Sequence, residues 1–283
     1  MANKPLNAVL VSMTIRTFSN QRQDAAITDE VKMKKALGNG AGKWVKYKLP
    51  DDCLTSIRKF CGAVRQFHYD HTSPWEEGQR LLSGKAREGY DLRMREFSTE
   101  FATLVEEFIT QYPNWIEQAK IMHAATFDAS DYPETETLRQ QFSIGCNYFP
   151  VPSPEHFNSD MKELYGQSLI ALTEQKISQA VQDAWDRLLK PVQAMAEKLA
   201  SPDKIFRDSL VENIKEMTAL IPELNLTNDP ELAQAAEFIS TQLSNLDVEQ
   251  LRESKVVRKA AAEQAATILN QFSGLGKRKL ATN

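Results

Sequence analysis

From Asp160 to Phe272 the apolar residues recur at three- and four-residue spacings and never settle into alternation. A stretch this long with that period can fold only as packed helices. Ile170, Ile177, Val181, Ala184, Leu188, Val192, Met195 and Leu199 trace a heptad-like seam, a coiled-coil type of pattern along one long helix. Three further helical segments follow in the chain and can cover that seam, which favours an intramolecular helical hairpin over a dimer. Ser201-Pro202-Asp203 predicts the start of the next helix, with Phe206, Leu210, Ile214, Met217 and Ile221 as its stripe and Pro222 as its end. Asn228-Asp229-Pro230 opens another, carrying Leu232, Ala236, Ile239, Leu243 and Leu246. Asp247 and Ser254 start the last helical stretch, through Ile268 and Phe272 to Gly274.

The first half reads differently. Residues 9–18 alternate with period two, a strand signal. Thr28 can cap a short helix over 29–37, closed by Gly38, and Gly38–Gly42 is a turn. Trp44–Leu49 then alternates again, predicting a half-exposed strand with Lys46 and Lys48 on a basic outer face. Pro50-Asp51-Asp52 opens a helix whose stripe is Leu54, Ile57, Cys61, Val64 and His68. Residues 70–91 read as irregular, punctuated by Pro74, Gly78, Gly84 and Gly89. Phe97 to Tyr112 has the spacing of a long amphipathic helix, kinked or restarted at Pro113 and continuing through 115–127. A short helix ends near Phe142, and Ile144, Cys146 and Tyr148 form a third strand able to pair with one of the first two.

Charge divides along the chain. Residues 1–95 hold 17 Lys/Arg against 10 Asp/Glu, and residues 96–283 hold 17 against 28. Two oppositely charged portions suggest surfaces for different partners. With 42% hydrophobic and 25% charged residues, the composition is that of a soluble folded protein. No apolar run nears the ~20 residues that cross a bilayer, and Ala8–Met13 is too short for a signal-peptide core. Three cysteines, Cys53, Cys61 and Cys146, without CxxC spacing fit small buried hydrophobes in a reducing compartment. The expected location is the cytoplasm of a bacterial-type cell.

No catalytic motif survives inspection. Gly38–Lys43 lacks a P-loop's first glycine, where Leu37 stands, and its hydroxyl, where Trp44 stands. His68 and His71 lie one turn apart in His68-Tyr69-Asp70-His71, but a catalytic zinc needs three ligands, and a helix C-terminus favours histidine on its own. There is no Gly-x-Ser-x-Gly elbow. Glu106-Glu107 falls on a solvated helix face. The basic residues carry more weight: Lys32, Lys34, Lys35, Lys43, Lys46, Lys48, Arg65 and Arg80 surround Trp44 and Tyr47. Cations neutralise phosphates and exposed rings stack on unpaired bases, so these residues are candidates for nucleic-acid binding. The alternative is a solvated basic face with the rings turned inward.

Phe67-His68-Tyr69-Asp70-His71-Thr72-Ser73-Pro74-Trp75 with Gly78-Gln79-Arg80-Leu81-Leu82 resembles the central signature of an uncharacterised family of tailed-phage, prophage and integrative-element proteins. Val105-Glu106-Glu107-Phe108, Tyr112-Pro113, Asp131-Tyr132-Pro133, Phe149-Pro150-Val151-Pro152, Phe206-Arg207-Asp208-Ser209-Leu210 and Leu224-Asn225-Leu226 extend the resemblance over nearly the whole chain. Members are often encoded near a MoxR-like AAA ATPase and a von Willebrand factor A-type protein. The resemblance implies a phage origin and an ATPase-linked assembly, and it supplies no catalytic residues. It marks His68, Tyr69, Asp70, His71, Trp75 and Arg80 as a candidate surface, because the segment is too polar for core packing alone.

The expectation is a mainly α protein with a small β component. A basic α+β head over 1–155 would be followed by an acidic helical arm over 156–275 and a disordered basic tail over 276–283, with the boundary in the Pro-rich stretch 150–159. The expected function is that of a non-enzymatic phage or mobile-element adaptor, with no metal or cofactor and with an AAA-type ATPase as its candidate protein partner. The alternative is nucleic-acid binding by the head, in phage DNA replication or recombination.

Overall fold

The computed structural model describes residues 6–201 and 204–275, so the expected tail at 276–283 lies outside the described residues. The fold is mainly α with a small β component. In chain order the elements are β1 (Ala8–Arg16), β2 (Gln21–Gln23), α1 (Ala25–Lys35), β3 (Val45–Tyr47), α2 (Thr55–Asp70), β4 (Ser73–Glu76), β5 (Gln79–Ser83), α3 (Arg87–His123), α4 (Thr135–Arg139) and β6 (Ser143–Pro150). The helices α5 (Ser159–Leu199), α6 (Ser209–Leu224), α7 (Pro230–Leu243), α8 (Val248–Glu253) and α9 (Lys255–Phe272) follow.

The sheet runs β4-β5-β1-β6, and β2 pairs with β3 in a separate ribbon. The pairing of Ile144–Tyr148 with the first strand is as expected. The hairpin β4–β5 is not, because residues 70–91 read as irregular. Its signals are short: Ser73 and Trp75 turn inward by period two, and Gly78 takes φ +74 in the tight turn. Leu81 and Leu82 are both buried, and Ala8 to Val11 pair with Ser83 to Arg80.

The described chain forms two compact units that interleave in sequence. Of the described residues, the first comprises 6–12, 67–91, 147–201 and 204–275, and the second 13–66 and 92–146, so β1, α2, α3 and β6 contribute to both.

In the first unit the seam of α5 is covered by α6 and α9 of the same chain. Its core holds Trp185, Leu188, Val192 and Met195 with Ile214, Ile221, Ile239, Leu243 and Ile268, and Ala184, Ala261 and Ala265 let the helix axes approach. Trp185, absent from the expected seam, is the largest fully buried side chain, and Ile170, placed in that seam, is 41% exposed. Asp229, Asp247 and Ser254 cap α7, α8 and α9 as expected, each side chain accepting from a first-turn N–H. Helix α6 differs: it begins at Ser209 after Asp208, and it runs through Pro222 to Leu224. Pro202 and Asp203, part of the expected start, lie outside the described residues.

One physical reason for the later start is Arg258, buried on α9. It donates to the carbonyls of Lys198, Ser201 and Lys204 at 3.1, 2.6 and 2.6 Å, satisfying groups that the end of α5 leaves open. These bonds fix the carbonyls of Lys198, Ser201 and Lys204 at the exit from α5.

In the second unit α2 and α3 pack their stripes together. Leu54, Ile57 and Cys61 meet a core containing Phe101, Val105, Phe108 and Tyr112, closed by Leu138 and Phe142. Helix α3 is continuous through Pro113 to His123. Buried Asn20 exchanges two bonds with Leu49, at 3.0 and 2.8 Å, acting as a strand partner at the end of β3.

Candidate functional site

The Lys-rich segment lies in the second unit. Helix α1 starts at Ala25, capped by Asp24, and Thr28 sits inside it instead of before it. The Thr28 hydroxyl donates to Asp24 O at 2.5 Å and accepts from Trp44 N at 2.9 Å, while Asp24 N donates to Trp44 O at 3.0 Å. The backbone of Trp44 is therefore clasped on both sides, yet its indole is 50% exposed. At the other end of β3, His123 Nε2 lies 2.7 Å from the carbonyl of Tyr47, whose ring is 42% exposed.

Strand β3 is turned over relative to expectation. Lys46 points inward to Asp131 at 2.8 Å, and Arg22 pairs with the same carboxylate. A buried carboxylate needs counter-charge, so Lys46 takes the inner position, and period two then sends Val45 and Tyr47 outward. Lys48 lies 4.1 Å over the Phe18 ring, where burial and then Arg22 lower its pKa. The outer face of the strand is thus apolar and aromatic. Lys32 and Lys34 pair with Asp29 and Glu30 along α1. Lys35, Lys43 and Arg65 are exposed.

Arg80 belongs to the first unit, and it is bound into the fold. It donates to Thr72 Oγ1 and Thr72 O at 2.6 and 2.7 Å, with its guanidinium 4.9 Å from the Tyr69 ring centre. Arg187 of α5 donates to the carbonyls of Tyr69, Asp70 and Thr72 at 2.8, 3.2 and 3.2 Å. Two cations thus cover the negative end of α2.

The remaining signature residues are placed around this cap. His68 is buried, its Nδ1 2.7 Å from the Tyr90 hydroxyl, and burial followed by Arg80 lowers its pKa to about 4. His71 packs on the Phe67 ring at 4.1 Å, with Nδ1 2.9 Å from Phe67 O. Trp75 is buried with Leu10, Leu81, Ala180 and Leu226. Tyr69 is 49% exposed. Most of the signature therefore caps a helix and closes a hairpin. Arg187 and Tyr90 belong to this arrangement and carry no local signal, being far from it in sequence.

Helix α5 holds a second apolar stripe. Met161, Leu164, Tyr165 and Leu172 share one face at three-four spacing, with Ser168 between them, and all four are exposed. Gly166, Ala180 and Ala184 lie on another side and are buried. The spacing is present in the sequence, where the predicted seam takes only Ile170 from these turns.

A groove of about 340 Å³ between α6 and α7 has an apolar floor of Ile221, Pro222, Ala233 and Ala236. Polar groups beside it already bond within the chain, Thr218 to Lys215 O and Asn225 to Asp229. A smaller hollow of about 150 Å³ lies by Phe18 and Arg58. Among the described residues no three His, Cys, Asp or Glu side chains group as metal ligands. No helix among them is long and apolar enough to cross a membrane. No family model, curated protein or solved structure matches this chain.

Proposed function

We propose that the chain is a phage or mobile-element accessory protein that works as an adaptor, joining macromolecules without transforming them. The observation that carries this reading is the stripe Met161, Leu164, Tyr165 and Leu172 on the first turns of α5. Large apolar side chains grouped in water mark an interaction surface. Spacing of i, i+3, i+4 and i+11 suits a helix laid in a partner's groove. The first candidate partner is the MoxR-like AAA ATPase encoded near members of the family this sequence resembles.

The test is to mix the purified chain with the ATPase from the same element and follow their elution by size-exclusion chromatography with light scattering. A stable complex is expected, and L164E/L172E should abolish it while keeping the circular dichroism of the wild type. Separate elution with ATP, with ADP and without nucleotide overturns the reading, as does a complex indifferent to L164E/L172E.

A further inference from the structure

The apolar stripe on α5 has two unlike edges. Asp160 precedes Leu164 by four residues, Gln167 follows it by three, and Glu174 stands seven beyond Gln167. On a helix these spacings form one ridge beside the stripe, and Glu163 lies on it between Asp160 and Gln167. The opposite edge carries Lys162, three residues before Tyr165, and Lys176, four after Leu172. Both lysines are matched within the chain, Lys162 by Glu155 at 2.6 Å and Lys176 by Glu76 at 2.7 Å. The acids are not: Asp160, Glu163 and Glu174 are exposed, and among the described residues no cation pairs with them.

The helix dipole accounts for Asp160, in the first turn, but not for Glu163 or Glu174, which lie beyond it. In paired helices the charges along the edges of an apolar seam choose the partner. Here one edge is neutralised and the other is left negative. From Met161 to Leu172 the stripe runs about 16 Å, three turns of helix, which suits a partner helix laid lengthwise. A second copy laid antiparallel would set the acid edge against itself, and laid parallel it would set that edge against Tyr165 and Leu172. Neither answers the charge. An anionic lipid surface would be repelled by it.

We infer that the start of α5 is a docking face for a basic amphipathic helix. The apolar face of that helix covers Met161, Leu164, Tyr165 and Leu172, and its Lys or Arg side chains pair with Glu163 and Glu174 along one edge. The inference rests on the adaptor reading, because it names the partner chemistry of the same stripe.

The experiment uses the full chain and two labelled helical peptides that share a leucine seam, one with lysine and the other with glutamate along both edges. Fluorescence anisotropy follows binding at several salt concentrations. The lysine peptide is expected to bind, more weakly as salt rises, and the glutamate peptide to bind about tenfold more weakly or worse. E163K/E174K turns attraction into repulsion at two positions, so it should cost the lysine peptide about tenfold and favour the glutamate peptide. L164E/L172E should abolish binding of both, with the circular dichroism of each variant unchanged. Equal affinity for the two peptides, or a preference that E163K/E174K leaves as it was, overturns the inference. Neither result touches the adaptor reading, which is decided by the ATPase complex and its loss in L164E/L172E. Failure of both peptides to bind also overturns the inference. So does self-association in light scattering, or binding to phosphatidylserine vesicles, that L164E/L172E abolishes.

Discussion

Lys46 Nζ lies 2.8 Å from Asp131 Oδ2, and the two side chains are 11% and 1% exposed. The pair reverses the expected facing of β3 and removes Lys46 from the basic surface. Cutting a buried pair on one side leaves a charge without its counter-ion, which is more damaging than losing both partners. K46M should therefore destabilise the second unit by about 2–3 kcal/mol, with Arg22 retaining part of the compensation. D131L/K46M should be closer to the wild type than either single change, in urea unfolding followed by circular dichroism.

Arg187 performs the same kind of task at the end of α2, donating to the carbonyls of Tyr69, Asp70 and Thr72, of which Thr72 O also accepts from Arg80. R187M should cost about 2–3 kcal/mol, since those acceptors lose charge-assisted bonds and two lie at partly buried positions. R187K should recover little of the loss, because an ammonium cannot span three carbonyls as the guanidinium fork does. Thermal melting compares the variants, and amide exchange over residues 67–83 locates the effect. Equal melting of R187M and the wild type would refute the clamp.

The parts of the fold that could be read from the chain are those set by neighbours in sequence. Asp229, Asp247 and Ser254 cap helices because a short oxygen next to a helical stretch meets its first N–H groups whatever else surrounds it. The stripe of α2 was legible for the same reason, as Leu54, Ile57, Cys61, Val64 and His68 are all buried. Thr28 misled because Asp24 competes for the same role and wins it, leaving Thr28 to clasp Trp44. The facing of Lys46 depends on a carboxylate eighty-five positions away, and the cap on α2 depends on Arg187, still further off. Period two fixes that Lys46 and Lys48 alternate with Val45 and Tyr47, but not which set turns inward. Of the basic candidates, the exposed aromatics were legible as types and their exposure was not.

A close approach between Gly84 and Asn7 gives a cleaner test of packing. A Cβ built on Gly84 would fall 2.2 Å from Asn7 Oδ1, and Gly84 N donates to Asn7 O at 2.7 Å. The backbones are thus fixed together and the Asn7 side chain fills the space. The atoms in the way are the far end of the exposed Asn7 side chain, which can swing aside, so G84A should cost less than about 1 kcal/mol. N7A should remove that cost, so the double-mutant cycle should show a small favourable coupling, on the order of a few tenths of a kcal/mol. Additive effects of G84A and N7A would rule out this contact as the cause.

His68 should make stability depend on acid. Its folded pKa, lowered by burial and then by Arg80 to about 4, lies below the value near 6.5 of an unfolded histidine. Between those values the unfolded chain binds the proton and the folded chain does not. The contribution is complete above about pH 6.5 and is lost as pH falls toward 4, on the order of 2–3 kcal/mol in all. Carboxylates titrate in the lower part of the same window, so the informative quantity is the difference between the wild type and H68Q, which keeps an amide within reach of the Tyr90 hydroxyl. Denaturant unfolding at pH 7, 6 and 5 should show that difference shrinking as the pH falls, because only the wild type carries the buried imidazole. A carbon-bound proton resonance of His68 that titrates near pH 6.5 would show that the ring is not held neutral, and the predicted pH dependence would fail with it.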